Sequence, residues 1–137
     1  MKTVRTIIFT VLILGVALVL ILKHQGSVGN SLAAQAIAEA GNQGKPAWLF
    51  IHTSTDPTCI QVETIFNTLQ TEFAGKIVFI NVDLSNRAEK GLIKKYDVKA
   101  VPTSVFFDGD GNLVDKKIGP KPPDEYKDTL LQLLEIS

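Results

Sequence analysis

The run Trp48-Leu49-Phe50-Ile51-His52-Thr53-Ser54-Thr55-Asp56-Pro57-Thr58-Cys59-Ile60 decides the fold. Trp48 to Ile51 is unbroken apolar sequence, too short and too rich in aromatic and β-branched residues for a helix of its own. It reads as a strand buried on both faces. From His52 the sequence turns polar and leads into a helix. Asp56 is placed to cap that helix by accepting from free backbone N–H groups, and Pro57 suits its first position, where an N–H would go unpaired in any case. The chain's sole cysteine, Cys59, therefore falls in the first helical turn.

Downstream of the turn, Cys59, Val62, Phe66, Leu69 and Phe73 recur every three or four residues and form one buried stripe, closed by Ala74-Gly75. Lys76 to Asp83, continuous in Ile77-Val78-Phe79-Ile80, predicts a second strand. A helix is expected over Asn86 to Tyr96 with Leu92, Ile93 and Tyr96 inward, after which Val98 leads to Ala100-Val101-Pro102-Thr103. Ser104 to Phe107 and Leu113 to Ile118 read as a hairpin around Asp108-Gly109-Asp110-Gly111, residues that tolerate positive φ. Pro122-Pro123-Asp124 starts a last helix with Tyr126, Leu130, Leu133 and Leu134 on its buried face. Upstream of the central strand, Leu32, Ala33, Ala36, Ile37 and Ala40 fall at helical spacing, and Gly41 and Gly44 end that helix before Lys45-Pro46. The order from residue 31 is α-β-α-β-α-β-β-α.

The amino-terminal part is of another kind. Residues 1–5 carry Lys2 and Arg5, and residues 6–22 are uncharged and almost wholly apolar. As a helix that segment measures about 25 Å, the short end of what spans a bilayer, with Lys2, Arg5 and Lys23 able to snorkel at its ends. A retained single-pass anchor is the expectation, because the apolar run exceeds the usual core of a cleavable signal. Basic residues ahead of the span set the amino terminus in the cytoplasm and the domain on the extracytoplasmic side, although Lys23 weakens the bias. The alternative is a signal peptide cut near Ser27-Val28-Gly29 with secretion of the rest. Residues 23–30 read as a flexible linker and residues 31–137 as the folded domain.

A chain of 137 residues with zero net charge and 45% apolar content fits one compact domain plus that extra segment. No basic excess points to nucleic acid. A single cysteine excludes an intrachain disulfide, and no Cys/His cluster has zinc spacing, so no metal and no cofactor are expected. Asp108-Gly109-Asp110-Gly111-Asn112 opens like a calcium loop. Leu113 stands where that loop needs glycine and Gly119 where it needs a bidentate glutamate, so the hairpin turn is the reading.

A strand running into a helix that begins Asp56-Pro57-Thr58-Cys59 resembles the thioredoxin family, where the tetrapeptide is Cys-x-x-Cys. Ala100-Val101-Pro102-Thr103 resembles that family's cis-proline loop, and Asn81-Val82-Asp83, Tyr96-Asp97-Val98 and Gly119 stand at the matching places. The resemblance covers about Ser31 to Leu134. It implies an α/β thioredoxin fold, a central mixed sheet flanked by helices, preceded here by one transmembrane helix. It implies a site made of Cys59 and Asp56 as the reactive pair of positions, with Pro57, Thr58, Val101, Pro102 and Thr103 contacting an extended peptide or protein thiol client.

Carried over position by position, Cys59 sits in the resolving place and Asp56 in the attacking one. A carboxylate does not attack a disulfide usefully, so the dithiol cycle is lost within one chain. A helix N-terminus favours a thiolate by about 0.3–1 kcal/mol. A carboxylate at about 6 Å disfavours it by roughly 0.7 kcal/mol at a water-like dielectric and roughly 3 kcal/mol at an effective value of 20. The expectation is a mostly protonated, inward-facing thiol. His52, where the resemblance implies tryptophan, reads as a packed or solvated side chain before it reads as a base or metal ligand. Phe50 fills the place where many thioredoxins bury a proton-transferring acid.

Two functions follow. One is a membrane-tethered protein acting on protein thiols and disulfides through Cys59, alone or resolved by a redox partner protein. The other is a redox-inactive module that binds a client or assembly partner along the Val101-Pro102 loop by strand addition.

Overall fold

The six residues of strand β1 (Ala47–His52) are all buried, because β1 lies inside a four-stranded sheet of order β2-β1-β3-β4. The structure is a computed structural model that describes residues 31–137 together with Val11, Ile13 and Gly15. Strand β2 (Val78–Asp83) runs parallel to β1, with Trp48 beside Phe79 and His52 beside Asp83. Strand β3 (Thr103–Phe107) pairs antiparallel on the other side, with Ile51 opposite Thr103, and β4 (Leu113–Ile118) closes the hairpin. The sheet is therefore mixed, as expected.

Alternation along β1 feeds two cores. Ala47, Leu49 and Ile51, with Ile80, Val82, Val105 and Phe107, meet α1 (Leu32–Asn42) and α3 (Lys90–Lys95) on one face. Trp48, Phe50 and Phe106 meet α2 (Pro57–Glu72) and α4 (Pro123–Ile136) on the other. Trp48 anchors this second core, 4.9 Å from Phe66 edge-to-face and 5.0 Å from Tyr126 in a stack. Such ring pairs contribute about 0.5–1.5 kcal/mol each beyond the area they bury.

Four expectations change in detail. Leu32 is 72% exposed, because the inward stripe of α1 is Ala33-Ile37-Ala40 and Leu32 lies one residue, roughly 100°, away from it. Strand β2 starts at Val78, since the N–H groups of Lys76 and Ile77 still bond back to Phe73 O at the end of α2. The stretch after β2 is a 3-10 turn (Arg87–Glu89) followed by α3, with Leu92 and Tyr96 buried and Ile93 only partly so. On α4, Thr129 is buried while Leu134 is only partly covered. The break before α3 has a cause: the Glu89 side chain turns inward, and its carboxylate accepts from the Ser31 hydroxyl and from Leu32 N–H. Ser31 Oγ in turn accepts from Ala34 N–H, so the start of α1 is capped twice.

The hairpin turn forms as read. Asp108 accepts from the N–H groups of Asp110 and Asn112, and Gly111 takes φ 82°. Residues 6–22 lie outside the described residues except at Val11, Ile13 and Gly15. Among the described residues no helix is long and apolar enough to cross a membrane.

Candidate functional site

Asp56 caps α2 in an extended backbone conformation (φ -88°, ψ 124°), with Pro57 at the helix start. One carboxylate oxygen, Oδ1, accepts from Thr58 N–H at 2.8 Å, from Cys59 N–H at 3.1 Å and from the Thr58 hydroxyl at 2.5 Å. The Asp56 carboxyl is held below its ordinary range chiefly by the Thr58 hydroxyl and the Cys59 N–H. Burial opposes this slightly, while the Thr58 N–H and the Cys59 thiol add to it. The anion at the mouth of α2 is therefore a carboxylate, and the amides that would favour a thiolate there are already engaged with it.

Cys59 is free and fully buried, while Pro57 and Thr58 are exposed and Asp56 is half-buried. Its height above the sheet follows from the packing. Helix α2 runs back along β1 in a parallel crossover and sets the Phe66 ring 5.4 Å from Phe50. From that contact Cys59 lies about 10 Å along the helix and His52 about 7 Å along the strand, both towards the same end of the sheet.

The second motif arrives at the same end. The Val101–Pro102 peptide is cis and immediately precedes Thr103, which pairs with Ile51 near the end of β1. Pro102 is buried and Val101 partly exposed. The Pro102 carbonyl accepts from Gly119 N–H at 2.8 Å. Thr103 is fully buried, lies between β1 and β4, and donates its hydroxyl to Ala100 O at 2.6 Å, so it shapes the loop from inside. Of the residues expected to meet a client, Pro57 and Thr58 are exposed and Val101 is partly so.

Sequence reasoning missed two partners of His52. The histidine is 4% exposed, stacks on Phe50 at 4.7 Å and 6°, and binds Asn81 Oδ1 through Nε2 at 2.5 Å. Asn81 Nδ2 donates to Glu63 Oε1 at 3.3 Å. His52 and Asn81 share one end of adjacent strands, and Glu63 is one turn after Cys59 on α2. No spacing in the sequence connects the three. Among the described residues no group of His, Cys, Asp and Glu side chains is arranged to hold a metal ion.

A mixed sheet between two helical layers, with a cysteine at the head of the helix after β1 and a cis-proline at the head of β3, defines a thioredoxin-fold protein. The chain matches the family model described as a thioredoxin-like domain over residues 33–134, and it belongs to the thioredoxin family. Among solved structures it is similar to oxidized thioredoxin O2 from Arabidopsis thaliana, with a TM-score of 0.63 and 22% identity over 73% of this chain and 84% of that one. At that identity the likeness speaks for the fold alone. No curated protein matches the chain by sequence.

Proposed function

We propose that this protein acts on protein thiols and disulfides through the single thiol of Cys59, held at a membrane by residues 6–22 with its domain on the extracytoplasmic side. The observation that carries this reading is the placement of Cys59 at the head of α2, at the same end of the sheet as the cis Val101–Pro102 peptide. With Asp56 in the attacking seat, the chain itself supplies no second sulfur. Exchange then stops at a mixed disulfide that a thiol of the client or of a redox partner protein resolves.

Full burial of Cys59 favours a second reading, a client-binding module without turnover that uses the partly exposed edge at Val101. One experiment separates them. The full chain in detergent micelles is incubated with a peptide disulfide, and mixed disulfides are identified by mass, alongside Cys59→Ser and Val101→Asp. Exchange that Cys59→Ser abolishes supports the first reading. Peptide binding that Cys59→Ser leaves intact and Val101→Asp removes, with no mixed disulfide, replaces it by the second. The anchor is tested apart: protease added outside intact cells should remove the domain, and protection of the domain refutes the orientation.

A further inference from the structure

Residues 31–137 hold all fourteen acids of the chain but eleven of its fourteen cations, and five of those eleven fall within residues 87–99. A net acidic domain therefore carries a basic strip, and the local fold lays it out. Glu89, Leu92 and Tyr96 are buried, so the 3-10 turn and α3 turn Arg87, Lys90 and Lys94 outward, with Lys95 and Lys99 beside them, all exposed. Spacings of three and four residues set Arg87, Lys90 and Lys94 in one row, roughly 5–6 Å apart at Cβ, where like charges repel.

The acids of the strip do not relieve them. Glu89 turns inward to the Ser31 hydroxyl and Leu32 N–H, and Asp97 pairs with Lys99 at 2.5 Å. Among the described residues Arg87, Lys90, Lys94 and Lys95 enter no ion pair, and the Lys95 ammonium lies 5.2 Å over the Tyr96 ring. Such a row costs the fold stability until an anion lies against it.

The place of the strip in the chain says which anion. Its Glu89 holds Ser31, and eight residues, 23–30, separate Ser31 from the apolar segment 6–22. As a flexible chain those eight residues span about 15 Å, and at full stretch about 28 Å. A folded domain of this length is itself about 26 Å across, so a tether this short brings the side nearest Ser31 within reach of the headgroups. We propose that the strip from Arg87 to Lys95 docks on the anionic phospholipid headgroups of the membrane that holds residues 6–22. The inference goes beyond the thiol–disulfide reading and rests on the anchor. Cations near a bilayer are drawn to anionic lipid within a Debye length, about 10 Å at 0.1 M salt. Asp83 ends β2 beside His52 and Arg87 follows four residues later, so the strip begins at the end of the sheet that carries Cys59. Docking holds that end near the bilayer, where the thiols of other membrane-bound proteins lie.

The test reconstitutes the full chain into vesicles of phosphatidylcholine alone and of phosphatidylcholine with about 30% phosphatidylglycerol. A membrane-impermeant acylating reagent then labels the outward-facing domains, and mass spectrometry gives the rate at each lysine. At low salt Lys90, Lys94 and Lys95 should react about fivefold or more slowly in the anionic vesicles than in the neutral ones. Lys127, on α4 across the sheet, should change by less than about twofold. Salt at about 0.5 M should erase the difference. In Lys90→Gln/Lys94→Gln, which alters exposed positions alone, the protection of Lys95 should disappear. Equal rates in the two vesicles, as an acidic protein or a nucleic acid partner would leave them, overturn the docking and leave the anchor standing. So does a slowing that includes Lys127 equally, or a protection of Lys95 that survives salt or the double substitution. Loss of the chain from the vesicles on flotation in alkaline carbonate overturns the anchor and this inference with it.

Discussion

Replacing Glu89 with alanine should destabilise the domain by about 2–3 kcal/mol, a figure built from two hydrogen bonds. Ser31 is 1% exposed, so without the carboxylate its hydroxyl proton is left dry, at a cost of about 1–3 kcal/mol. Leu32 N–H, at 3.1 Å from the other oxygen, belongs to an exposed residue that water can reach, and its loss adds less than about 1 kcal/mol. Glu89→Gln should cost about 1 kcal/mol, because one oxygen still serves Leu32 while the new NH2 confronts a hydroxyl that was donating. Urea unfolding of the full chain in detergent micelles can be followed by Trp48, the only tryptophan, which is fully buried in an aromatic cluster. With a slope of about 1.5 kcal/mol per molar urea, the midpoint should fall by roughly 1.3–2 M for alanine and under 1 M for glutamine. An alanine midpoint within about 0.3 M of wild type would refute the claim that this buried carboxylate ties the entry of α1 to the 3-10 turn.

Asp56→Ala removes the acceptor shared by Thr58 and Cys59 and should lower the melting temperature at neutral pH. Because the folded-state pKa of Asp56 lies below the ordinary aspartate value of 3.8, its contribution is complete above that value and is lost as pH falls through the folded value. The gap between wild type and Asp56→Ala should therefore be constant above about pH 5 and close below pH 3.8; a gap that widens on acidification contradicts the cap. Phe66→Ala empties a site between Trp48, Phe50 and Phe79 and should cost about 3–5 kcal/mol in the same urea assay. Gly109→Ala places a methyl 2.8 Å from Gly44 O and 3.0 Å from Ser137 Cβ, so the hairpin must shift. A loss of about 1–3 kcal/mol is expected, and an unchanged midpoint would mean that the turn slides freely over the end of α1.

What was legible in the sequence depended on how local its cause is. The buried strand at Trp48, the cap at Asp56, the stripe from Cys59 to Phe73 and the turn at Asp108 each follow from neighbours within a few residues, and each is found where it was read. Prediction missed where the decisive partner is remote. Nothing near Glu89 announces that its side chain bonds to a serine 58 residues earlier, and that bond replaces a continuous helix over residues 86–96 with a 3-10 turn and a short helix. His52 and Asn81 are 29 residues apart and meet only because β1 and β2 are parallel and in register.

The same distinction explains the site. The sequence reveals that a carboxylate stands where a first cysteine is expected; it does not reveal that one oxygen of that carboxylate gathers the Thr58 hydroxyl and two backbone amides. A helix N-terminus offers few donors, and here the cap holds those nearest the sulfur. The carboxylate, and not the sulfur, therefore holds the free amides at the mouth of α2.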